Sequence, residues 1–141
     1  MKALQGIQFK SRKHETTLNS IKLPVHEFSS ERWGEMSMSL MTGFEDPEAY
    51  IKDVMNVAIK GIEGDDYEPT ADDREQLQRV LSNSDIREYL HRLKQLNEFG
   101  LDVMQEAEKK FEAARNTGGT GTESMWRLYT GGTGTESMWR L

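Results

Sequence analysis

The chain has 141 residues, with 24 acidic and 18 basic side chains, no cysteine, and a formal net charge of −6. That length suits one domain plus a tail. It excludes a disulfide framework and a thiolate metal site. No apolar run approaches the ~18 residues that a membrane-spanning helix needs.

The opening residues lack the apolar core of a signal peptide, so a soluble, cytoplasmic protein with no membrane partner is expected. Charge is spread unevenly. Residues 1–28 carry Lys2, Lys10, Arg12, Lys13 and Lys22 against Glu15 and Glu27, a net of +3. Residues 29–73 carry twelve acids against three bases, a net of −9, while 74–116 and the tail each balance. The acidic middle argues against broad nucleic-acid binding.

In chain order, Ile7 and Phe9 alternate with polar residues, and Ile21, Leu23 and Val25 do so around Pro24. Such alternation predicts two half-buried strands within 1–28, with Lys10 to Thr17 as the connection. Pro24 places the second strand at an edge or ends it. Ser29 and Ser30 suit the N-cap of a short helix over 31–41. Trp33, Met36 and Leu40 share one face of it and Gly43 is a stop.

Asp46, Pro47 and Glu48 then open a helix with favourable cap, first-turn and dipole chemistry. Tyr50, Ile51, Val54, Met55, Ala58 and Ile59 form its apolar face, and Gly61 ends it. Residues 61–69 contain two glycines, a proline and four acids, and read as an exposed loop. Thr70 and Asp73 resemble a capping box for a helix bearing Leu77, Val80 and Leu81. Ser82-Asn83-Ser84-Asp85 has the residues either to break that helix or to cap the next.

From Ser84 to Arg115, Ile86, Leu90, Leu93, Asn97, Gly100, Met104, Ala107, Phe111 and Ala114 recur at spacings of four and three. That spacing predicts one helix of roughly 45 Å around which the chain is organised. Gly100 marks a kink in it or a break. Tyr89, Leu96, Leu101 and Val103 widen the stripe, as in a bundle helix. Its apolar face exceeds what one thin neighbour covers, so a homo-oligomer through 84–115 is expected. Asn97 would set register in a dimer or be hydrogen-bonded within a monomer.

The tail is written twice. Thr117–Leu128 and Thr130–Leu141 share all twelve positions, with Tyr129 between them. A recent duplication or cloning segment is one explanation. A linear motif presented twice is the other. Each unit joins a glycine- and threonine-rich flexible stretch to Glu-Ser-Met-Trp-Arg-Leu. Trp and Arg are enriched where binding energy concentrates. The candidate partner-binding residues are therefore Met125, Trp126, Arg127 and Leu128, repeated as Met138, Trp139, Arg140 and Leu141. A tryptophan folding back onto the chain's own body is the alternative use.

Catalytic and cofactor signatures are weak. His14, His26 and His91 show no paired ligand spacing, and the acidic loop lacks the ligand pattern of a calcium-binding loop. The glycines of the tail are not followed by the lysine of a phosphate loop. No metal, cofactor or enzymatic activity is expected. Lys10, Arg12 and Lys13 beside Phe9 are candidate nucleic-acid contacts, set against a solvated hairpin loop. Met36, Met38, Met41 and Met55 are a candidate adaptable apolar surface, set against core packing.

The fold expected is mainly α-helical (α+β). A short β-hairpin (1–28) packs on about four helices (29–116), followed by a flexible tail (117–141). The function expected is non-catalytic: an adaptor, assembly chaperone or scaffold, virion assembly included, that recruits another protein through its C-terminal Trp motif. The second reading is a small nucleic-acid-associated regulator using the basic hairpin.

Overall fold

The structure is a computed structural model and describes residues 1–42 and 46–116. The duplicated tail and Gly43 lie outside the described residues. The chain divides at Met104 into two units, Met1–Met104 and residues 105–141.

The first unit opens with a short 3-10 turn at Lys2–Leu4 and a stretch to Arg12 that belongs to no helix or strand. Strands β1 (Lys13–Leu18) and β2 (Ile21–His26) follow as an antiparallel hairpin, with Leu18 opposite Ile21 and Lys13 opposite His26. Asn19 and Ser20 make its turn with φ of 49° and 68°. Two successive positive φ values are what a two-residue type I′ turn requires, and asparagine accepts them better than most residues. This corrects the first predicted strand. Ile7 and Phe9 precede the hairpin, and residues 13–17 of the predicted connection, five of its eight, belong to β1 itself. Thr16 and Thr17 suit a pleated half-buried surface, and the Asn-Ser turn fixes which segment pairs with Ile21–Val25.

Pro24 sits within β2, where its missing N–H is lost only to the outward edge. Its carbonyl there accepts a hydrogen bond from Tyr89 Oη at 2.6 Å. The inner face of the hairpin is Thr16, Leu18 and Val25, all buried.

Among the described residues five α-helices follow. Helix α1 (Ser30–Thr42) is capped by Ser29, whose Oγ accepts from Arg32 N at 3.2 Å. Helix α2 (Pro47–Glu63) starts on Asp46, whose side chain accepts from Ala49 N. It runs through Gly61 and stops at Gly64, which takes φ +108°. The predicted stop at Gly61 is thus corrected. A Cβ at Gly61 would lie 2.8 Å from Tyr89 Oη and 3.0 Å from a Leu93 methyl, so that glycine serves close helix packing rather than termination.

Helix α3 (Ala71–Val80) and helix α4 (Asn83–Phe99) both carry complete capping boxes, Thr70 with Asp73 and Ser82 with Asp85. Ser82–Asp85 therefore both ends one helix and begins the next. Helix α5 (Leu101–Asn116) follows at once. Gly100 separates α4 from α5 with φ +106°, while its N–H closes α4 on the carbonyls of Gln95 and Leu96. The single long helix over 84–115 is corrected to two. The boundary between the two units falls inside α5.

The core of the first unit runs from Leu18 and Val25 through Trp33, Met36, Met55, Ala58 and Ile59 to Tyr89, Leu93, Leu96 and Met104. Helix α2 packs on β2, α1, α3 and α4. It is therefore a central element. Val57 is buried and Ile51 is 51% exposed, a rotation of the predicted face. Likewise Leu77 on α3 and Leu81 just after it are buried while Val80 is exposed. No helix of the described residues is long and apolar enough to cross a membrane.

Candidate interaction surfaces

Helix α4 lies against the hairpin and presents polar groups to both strands. On β2, Tyr89 Oη reaches Pro24 O, and Asn97 Nδ2 reaches His26 O at 3.2 Å. Asn97 Oδ1 also accepts from Phe28 N at 2.7 Å, where the chain turns towards α1. On β1, Arg92 donates to Thr16 Oγ1 at 2.7 Å and to Thr17 O at 2.6 Å. Its side chain is fully buried, with Glu88, also buried, one helical turn back at 3.4 Å. A buried guanidinium is tolerated when it is paired and hydrogen-bonded. The Glu88–Arg92 spacing of four was the only local signal for it, and that spacing more often marks an exposed pair.

The remaining polar groups also hold the fold. Trp33 stacks on Phe28 with ring centroids 6.5 Å apart, and its Nε1 donates to Glu98 at 2.9 Å, tying α1 to α4. His26 Nδ1 donates to Gly61 O at 2.9 Å. The acidic loop after α2 is closed by the chain's own cations. Lys60 Nζ donates to the carbonyls of Asp65 and Tyr67 at 2.9 and 3.0 Å. Arg32 Nε holds the Asp65 carboxylate at 2.7 Å, which raises the pKa of its guanidinium. Among the described residues no three histidine or carboxylate side chains gather as metal ligands would.

Titration is shifted at a few places. The hydroxyl of Tyr67, then the backbone N–H of Thr70, hold the Asp73 carboxyl below its ordinary range, and the same contact pushes Tyr67 up. Burial, then Lys94 and Arg92, push His91 down. Burial raises Tyr89 well above its ordinary value. Asp73 and Tyr67 shift apart, but their contact belongs to the capping box of α3, where the same carboxylate oxygen also accepts from Thr70 N at 2.9 Å.

The four methionines separate. Met36 and Met55 are core residues, while Met38 and Met41 are 60% and 68% exposed. The spacing of α1 explains this, since Met36 faces inward with Trp33, and Met38 and Met41 fall on the opposite side.

Lys10, Arg12 and Lys13 are all exposed, but they lie ahead of and at the start of β1 rather than in the hairpin turn. Arg12 is held to Glu27 at 2.9 Å, and His14 reaches the same carboxylate oxygen at 3.0 Å. The adjoining arm exposes Leu4, Ile7 and Phe9 at 59%, 66% and 57%. Met125, Trp126, Arg127, Leu128, Met138, Trp139, Arg140 and Leu141 lie outside the described residues. No protein family, curated protein or solved structure matches the chain.

Proposed function

We propose that the chain is a non-catalytic protein-interaction module, an adaptor or assembly scaffold, that recruits another protein through its repeated C-terminal Glu-Ser-Met-Trp-Arg-Leu unit. The observation that carries this reading is the unit itself, twelve positions written twice with Trp and Arg adjacent. Two copies on one chain raise avidity by an effective concentration in the roughly millimolar range if a partner offers two sites. The proposal includes a cytoplasmic location, since a chain without cysteine needs no oxidising surroundings.

The experiment is affinity capture with the full chain beside Trp126→Ala/Trp139→Ala, with bound proteins identified by mass spectrometry. A partner held by the parent and lost from the double variant supports recruitment by the tail. Equal recovery from both removes the tail as the recruiting element.

A second reading rests on the exposed cluster of Phe9, Lys10, Arg12 and Lys13, which suits a phosphate backbone with one stacked base. Binding of single-stranded nucleic acid that falls steeply with salt, and is lost from Lys10→Ala/Arg12→Ala/Lys13→Ala, supports it. Binding indifferent to both would sink it.

A further inference from the structure

Two exposed surfaces of the first unit complement one another in charge and in apolar character. The first is the arm ahead of β1 together with the start of that strand, Lys13 and His14. Its residues up to His14 include Lys2, Lys10, Arg12 and Lys13 and no acid. Its large apolar side chains Leu4, Ile7 and Phe9 are each more than half exposed. The β ladder continues one step beyond β1, with Glu27 N donating to Arg12 O at 2.9 Å. It then stops, because Ser29, the next ladder position, turns into the start of α1, where its carbonyl accepts from Trp33 N at 2.9 Å. The arm thus overshoots its partner strand.

The second surface is the outer side of α1. Glu31, Gly34, Glu35, Met38 and Met41 are all exposed, and at 100° per residue they fall within one third of the helix circumference. The stripe is acidic at its start and apolar at its end. Glu35 also accepts from Arg32 at 3.0 Å, yet its side chain stays 60% exposed. A Cβ at Gly34 would meet nothing within 4 Å, so the middle of the stripe is bare backbone, open to a close-packed neighbour.

We propose that the arm of one copy docks along the α1 stripe of a second copy. In an extended arm Ile7, Phe9 and Lys13 share a face. Phe9 to Lys13 then spans at most about 14 Å, and Met38 to Glu31 on the helix spans about 10 Å, a difference within a lysine side chain's reach. Ile7 and Phe9 cover Met41 and Met38, Lys13 meets Glu31, and Lys10, rooted on the other face of the arm, reaches round along its long side chain to Glu35. Every copy offers both halves, so two joints close a reciprocal pair with two-fold symmetry. This joint uses neither α5 nor the tail and stands apart from the recruitment proposed above.

The test is sedimentation equilibrium of the full chain, with helicity checked by circular dichroism. The parent is expected to dimerise, about tenfold or more weakly when salt shortens the screening length from about 10 Å to about 3 Å. Lys10→Glu/Lys13→Glu sets acid against acid, and Glu31→Lys/Glu35→Lys sets base against base, so each alone is expected to be monomeric. Mixed one to one, they restore both joints and form a heterodimer. Ile7→Ser/Phe9→Ser removes the apolar part of the joint without touching the strands, and is expected to give monomers even if the Lys13 change disturbs the hairpin. A monomeric parent overturns the proposal, and so does a dimer that persists in both charge-reversed chains.

Discussion

At the scale of single residues, Arg92 is the side chain whose position departs furthest from its chemistry. It is fully buried, and its two short bonds to Thr16 and Thr17 join helix α4 to a strand more than seventy residues earlier. Removing one member of a buried charge pair strands the other. Arg92→Ala is expected to destabilise the fold by about 3–5 kcal/mol, because Glu88 and the Thr17 carbonyl lose a buried partner. Urea denaturation of parent and variant checks this. A loss under about 1 kcal/mol would mean that water replaces the guanidinium. The Glu88 spacing of four is the one nearby signal of this burial, and it more often marks an exposed pair. A charged residue between Tyr89 and Leu93 reads equally well as the edge of an apolar face.

At the scale of elements, helix ends follow local chemistry closely. Capping acts over three residues, so Thr70 with Asp73 and Ser82 with Asp85 work as their order in the chain suggests. Gly100 is different, because its φ of +106° lies where a side chain is strained whatever space surrounds it. Gly100→Ala is expected to cost about 1–3 kcal/mol, the range for a residue held in such a region. The open space around Gly100 leaves backbone strain as the only cause. Thermal denaturation of that variant measures the cost. An unchanged melting temperature would show that α4 and α5 can fuse into the single helix that the heptad spacing favours. Gly61 makes the contrast, a glycine of ordinary helical φ whose constraint comes from Tyr89 and Leu93 on another helix.

At the scale of the whole molecule, stability is expected to fall on acidification in two stages. His91 is held below its ordinary value of 6.5 by burial and by Lys94 and Arg92. The unfolded chain therefore takes up that proton first, and stability drops as pH falls through about 6.5. Asp73 is held below its ordinary 3.8, so its contribution persists to lower pH and is lost as pH falls through its folded value. Urea midpoints measured from pH 8 to pH 5 check the first stage, and His91→Gln is expected to flatten it. A slope unchanged by that substitution would assign the acid sensitivity elsewhere. On the alkaline side, Tyr89 resists ionisation in its buried site, so stability is expected to fall as pH rises through about 10.

The sequence by itself determined the mainly helical class, the N-terminal hairpin's second strand, the starts of α1, α2 and α3, and the repeat in the tail. Those signals act over a few residues, through caps, alternation and identity of spacing, and need no distant partner. Tertiary structure decided that Gly61 lies inside α2, and that Met36 and Met55 are core while Met38 and Met41 face outward. It also decided that Asn97 bonds Phe28 and His26 within the chain. Each of those outcomes depends on what arrives from tens of residues away. Local spacing shows that a face is apolar but not what will cover it. The arm and the outer stripe of α1 show the same limit at the surface, since their complementarity emerges only once both are seen to be exposed.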